Sequence, residues 1–158
     1  MRAFGILWRR DWVDLPRKRL EGRQLSGSDT FDFADQDGIY VLYDRDRAIY
    51  VGRMTKGGLF GRLKAHTTGR FATRWDRFSW FGFREPSDDG TLRPIESAFG
   101  IEAVIEAMEA VLIETLELPQ NRRRGDDFAG TEYDQVPDQA MEKRRVEHLL
   151  LEHLGLGR

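Results

Sequence analysis

The apolar positions of the chain cluster first at Gly38–Tyr43 and Ala48–Gly52, two runs rich in β-branched and aromatic residues. Asp44-Arg45-Asp46-Arg47 separates them, and charged residues between two such runs predict an antiparallel hairpin. Gly57-Gly58 interrupts the pattern before Leu59, Leu63 and His66, which fall at helical spacing. Trp75 to Phe83 reads as a third strand that pairs with the hairpin. A polar loop, Pro86 to Gly90, leads to the clearest helical pattern, Ile95 to Leu118. Its apolar stripe is Ile101, Ile105, Met108, Leu112 and Leu116, and Pro119 ends it. After a loop from Arg122 to Pro137, a last helix is expected from about Asp138, as N-cap, to Leu154, ahead of Gly155 and Gly157.

The first 36 residues carry a weaker pattern. Phe4 to Trp8 is a candidate strand, and Phe31 and Phe33 alternate around Asp32 as in a short half-buried strand. Arg17-Lys18-Arg19 and Ser26-Gly27-Ser28 suggest a loop or arm. The expected fold is therefore α+β, with a small antiparallel central sheet of about three strands flanked by helices. Residues 1–36 form an N-terminal extension packed on a core of 37–124, and 125–158 add a loop and helix to the same domain. A chain of 158 residues suits one such domain.

Composition narrows the classes. No run of eighteen apolar residues exists, so no membrane span is expected. With no cysteine, disulfides and cysteinyl metal sites are excluded. The N-terminus does not read as a signal peptide, and a cytoplasmic location is the default. The net charge of −2 hides opposed blocks. Residues 45–84 hold ten Lys/Arg against two acids, a net of +8, and residues 85–120 hold nine acids against Arg93, a net of −8. Such a local basic block can bind phosphates on an acidic chain.

Three features ask for more than folding. Tyr40 and Tyr50 stand on adjacent strands, each near a glycine, Gly38 or Gly52, that permits close backbone approach. Arg62 and His66 are spaced i, i+4 and share one helix face, so a guanidinium that clamps phosphate would sit one turn from an imidazole that handles a proton. Lone tyrosines on strands and an exposed polar helix face are the simpler readings of each pair. Glu109 has Ile105, Leu112, Ile113 and Leu116 as its helical neighbours. A carboxylate in an apolar row needs a partner, either an arginine or a divalent ion, and Mg²⁺ suits a hard oxygen ligand with few companions.

These residues together resemble the GIY-YIG nuclease superfamily. Gly38-Ile39-Tyr40 and Tyr50-Val51-Gly52 are similar to its two naming tripeptides, with valine for isoleucine in the second. Gly61 to His66 resembles its arginine–histidine helix. Glu109, Leu112-Ile113, Pro119 and Asn121 resemble its closing pattern, so the likeness runs over about residues 37–122. The Gly57-Gly58 segment is slightly longer than usual, and no zinc-binding tail follows.

The resemblance implies a metal-dependent DNA endonuclease, with Glu109 holding Mg²⁺ or Mn²⁺. Arg62 would stabilise transition-state charge. Tyr40 or His66 would take the proton of the attacking water, Tyr50 would position the phosphate and Asn121 would order the surrounding loop. Arg53, Lys56, Arg70, Arg74, Arg77, Arg122, Arg123 and Arg124 are candidate contacts to double-stranded or branched DNA. Trp75, Trp80 and Phe81 are either base-stacking or core residues. The alternative is a catalytically silent module that only binds nucleic acid or docks a partner. The last helix, with Val146, Leu149, Leu150 and His153 on one face, either serves a protein partner or homodimer or caps the core, capping being the simpler expectation.

One measurement follows from the charge pattern. DNA affinity should fall steeply with salt, and removing the charges of Arg74 and Arg77 should lower both the affinity and its salt slope. Affinity that stays flat from low to physiological salt would take the 45–84 block out of DNA binding.

Overall fold

The computed structural model describes residues 1–24, 27, 29–55, 57–95, 100–116, 130–137 and 139–154. In chain order the elements are β1 (Ala3–Arg9), β2 (Glu21–Arg23), β3 (Thr30–Asp32), β4 (Gly38–Asp44), β5 (Arg47–Met54), α1 (Gly58–Ala65), β6 (Arg77–Gly82), α2 (Ile101–Leu116), β7 (Thr131–Glu132), β8 (Asp134–Gln135) and α3 (Gln139–His153). The fold is α+β, as the pattern predicts, but the central sheet is larger than three strands. It has five, in the order β5-β4-β6-β1-β7, and a second sheet has the order β3-β2-β8.

The expected hairpin is β4–β5, with Tyr40 opposite Gly52 and Leu42 opposite Tyr50. The expected third strand is β6, antiparallel to β4 on its other side. The two extra strands come from segments with weak patterns. β1 lies antiparallel to β6 and joins the sheet as a full strand, and β7 runs parallel to β1. Residues 130–135, expected as loop, thus supply one short strand to each sheet. Trp8 ties the sheets together. Its ring meets Phe33, Phe78 and Trp80 edge to face, and its indole N–H donates to the Tyr133 carbonyl at 2.9 Å.

Because side chains alternate across a strand, β4 divides the interior into two cores. Tyr40 and Leu42 belong to one, with Leu59, Phe60 and Leu63 of α1. Val41 and Tyr43 belong to the other, with Ala107, Ala110 and Val111 of α2. Trp75, Trp80 and Phe81 are all buried, which makes them core residues and not base-stacking ones.

Both later helices correct the expectation drawn from their apolar stripes. α2 meets the sheet through small residues, Ala107, Ala110 and Val111, whereas Ile105, Met108, Leu112 and Leu116 are all more than half exposed. The small side chains let the helix axis approach the sheet closely, and the bulky stripe is turned outward. In α3, Val146, Leu149 and Leu150 are about half exposed, so that face does not cap the core. Asp138, Pro119, Gly155 and Gly157, the expected helix boundaries, lie outside the described residues.

Gly38 opens β4 with φ +149°, and a Cβ there would run into the Phe81 carbonyl of β6. Gly38→Ala should therefore cost about 2 kcal/mol or more. Urea unfolding with an unchanged slope and a lowered midpoint is the expected result.

Candidate functional site

Tyr40 sits at the centre of β4 and is 1% exposed. Its ring lies against the bare backbone of Gly52 on β5, where a Cβ would come within 2.6 Å of three ring and hydroxyl atoms. Tyr50, two residues before Gly52, shares that sheet face, and its ring centroid is 5.9 Å from that of Tyr40. α1 buries Leu59, Phe60 and Leu63 on the same face. That packing carries Arg62 and His66 to the two tyrosines. His66 closes the helix, with its N–H directed to the Arg62 and Leu63 carbonyls, and its own carbonyl accepts the Trp75 indole N–H at 3.1 Å.

The closest polar contact in the cluster joins the Tyr40 hydroxyl to His66 Nε2 at 2.7 Å. Burial raises the Tyr40 pKa, and the neighbouring Tyr50 adds to this, while the Arg62 charge opposes it. Burial also lowers the His66 pKa, and Arg62 lowers it further. Both shifts favour neutral groups at pH 7. A protonated phenol beside a neutral imidazole means that Tyr40 donates and Nε2 accepts, which puts the imidazole proton on Nδ1. The Tyr50 ring meets His66 at 4.8 Å, and Phe71 closes the group at 5.3 Å from Tyr50 and 5.6 Å from His66. Arg62 is partly buried, and its Nε has no hydrogen-bond partner among the described residues.

Four of the expected site residues, Tyr40, Tyr50, Arg62 and His66, are thus brought together. Glu109 is not. It is exposed rather than set in an apolar row, because the row of Ile105, Leu112 and Leu116 itself faces outward. Its helix packs on the Val41/Tyr43 face of the sheet, opposite the face that carries Tyr40. Asn121, Lys56, Arg122, Arg123 and Arg124 lie outside the described residues. Among the described residues no group of three or more His, Cys, Asp or Glu is placed to hold a metal ion. Glu109, the single carboxylate to which the resemblance assigns Mg²⁺ or Mn²⁺, thus stands apart from the Tyr40 cluster.

The basic residues divide by position. Arg53 pairs with Ile39 and falls on the α2 face of the sheet. Arg70 stacks its guanidinium 4.7 Å over the Phe71 ring. Together with Arg47, Arg74 and Ile49 they line an open hollow of about 430 Å³ that also includes Asp44. Arg77 lines a different hollow of about 550 Å³, beside Arg10, Leu63 and Trp75. None of the four clustered side chains borders that larger space. Sequence reasoning missed Phe71 and Arg47. The one available signal for Phe71 was an aromatic next to Arg70 after Gly69.

Comparison of the chain with protein-family models, with curated proteins and with solved structures gave no match in any of the three. The resemblance rests on its motif residues alone.

Gly52→Ala should press on a ring with no room to yield, costing about 1–3 kcal/mol. It should also move the His66 titration, followed by NMR, back toward the ordinary value near 6.5. A depressed histidine pKa also sets a sign for stability. The unfolded chain takes up the proton first as pH falls, so the contribution is full above about 6.5 and is lost on acidification through the folded-state value. His66→Gln should abolish that part of the pH dependence in urea unfolding.

Proposed function

We propose that the chain is a DNA endonuclease of the GIY-YIG type in which Tyr40 and His66 move the proton of the attacking water. The observation that carries this reading is the 2.7 Å contact between the Tyr40 hydroxyl and His66 Nε2, with Tyr50 and Arg62 beside it. Tyr40 alone is a poor base, since burial holds its proton on. A relay removes that difficulty. As water oxygen bonds to phosphorus, its proton passes to the Tyr40 oxygen while the Tyr40 proton passes to Nε2. The bond from phosphorus to the leaving oxygen breaks, and solvent protonates that oxygen. Arg62, with its Nε unpartnered among the described residues, supplies positive charge for the phosphate as negative charge builds. The hollow of Arg47, Arg70 and Arg74 next to Phe71 offers the adjoining backbone a basic track.

A second reading, a module that binds nucleic acid without cutting it, is favoured by the outward, opposite-face position of Glu109. If Glu109 held Mg²⁺ or Mn²⁺, the ion would supply Lewis-acid stabilisation of the phosphate, and no step above is routed through it.

Supercoiled plasmid incubated with and without Mg²⁺ or Mn²⁺ separates the two. Tyr40→Phe and His66→Ala should each reduce cleavage by roughly a hundredfold or more with DNA binding retained. Full cleavage by Tyr40→Phe would remove the relay, and binding without cleavage under any metal would establish the silent module. Glu109→Gln tests the remaining motif position. As an exposed residue it should change stability by no more than about 0.5 kcal/mol. Lost cleavage with that stability intact would assign the carboxylate to the reaction, and unchanged cleavage would dismiss it.

A further inference from the structure

α2 carries two stripes nearly half a turn (about 150°) apart. One, of small residues, packs on the sheet. The other is the row Ile105, Met108, Leu112 and Leu116, each between 52% and 58% exposed. α3, with Leu154 just after it, carries a comparable row, Val146, Leu149, Leu150 and Leu154, at 47% to 65% exposed. Eight large side chains exposed to this degree present roughly 800 Å² of apolar surface. Divided between two helices this is about 400 Å² a row, within the roughly 300–600 Å² of the largest patch on a typical monomer, and together the rows match the roughly 800 Å² that one partner of a standard interface buries.

The two rows also suit each other. The helices have 16 and 15 residues, which makes both about 22–24 Å long. The charges differ as well: α2 contains four glutamates and no lysine or arginine, whereas in α3 Lys143, Arg144 and Arg145 are balanced by Glu142, Glu147 and Glu152. Within the chain, Arg145 is held by Asp11 at 3.1 Å, and the α3 row stays exposed.

We propose that the chain forms a twofold homodimer in which α2 of each copy receives α3 of the other. One chain holds both halves of the contact, so two reciprocal contacts close the symmetry and leave no row uncovered. The charge-balanced α3 is a better neighbour for the acidic α2 than a second α2, which would set glutamates against glutamates. The proposal does not depend on the nuclease reading, because neither row includes a residue of the Tyr40–His66 cluster.

Sedimentation equilibrium on the full chain tests it. The expected species at ~100 µM is a dimer. Leu112→Glu and Leu150→Glu should each weaken it about tenfold or more while far-UV circular dichroism stays unchanged. Leu112→Gln and Leu150→Gln repeat the test without added charge, should either glutamate variant fail to fold. The distinguishing step is mixing. A Leu112→Glu chain and a Leu150→Glu chain together can form a heterodimer with one unaltered contact, so dimer should partly return. A monomeric wild type overturns the proposal, as does a dimer that ignores Leu150→Glu, or a mixture in which no dimer returns. Sensitivity to Leu112→Glu alone would show α2 paired with α2 and overturn it equally.

Discussion

Strand β4 is committed on both faces, and the remaining structure is arranged around that fact. It lies between β5 and β6 with alternate residues buried in opposite directions. α1 can reach only Tyr40 and Leu42, and α2 only Val41 and Tyr43. Whatever chemistry depends on Tyr40 must be assembled from the β5 and α1 side. A residue of α2 can join it only by passing around the edge of the sheet. This constraint, more than any single contact, groups Tyr50, Arg62 and His66 with Tyr40 and leaves Glu109 apart.

Within that cluster one cause acts on two groups with opposite effect. Removing water from a phenol makes it hold its proton, and removing water from an imidazole makes it release one. Tyr40 and His66 therefore settle as a neutral donor and a neutral acceptor without any charged neighbour imposing it. Arg62 works against the first shift and with the second. Its charge brings the phenolate nearer while keeping the imidazole free to accept.

The hairpin, α1 and the Tyr40, Tyr50, Arg62 and His66 grouping were legible because strand pairing and helical i, i+4 spacing are local properties. The phase of α2 was not. Periodicity gives the most weight to large residues, so Ile105, Met108, Leu112 and Leu116 outweigh Ala107, Ala110 and Val111, although the sheet selects the small stripe. Glu109 was assigned a buried environment through the same inversion. β7 and β8 span two residues each, too few for any alternation to register. The place of β1 in the central sheet is decided by its pairing with β6, a tertiary choice that its own residues do not display. Phe71 contributes through a turn whose approach to Tyr50 no spacing rule encodes.

The union of β1 with residues 131–135 has a bearing on the order of folding. The indole of Trp8 finds its acceptor 125 positions along the chain, on Tyr133. Contacts that close so long a loop are slow to form and arrive late. During synthesis the hairpin, α1 and β6 can assemble from neighbouring segments. The far edge of β1 and the open side of β2 must wait until residue 135 has left the ribosome. Until then the nascent protein presents two unsatisfied strand edges, the condition under which a partly made chain is most prone to pair with another.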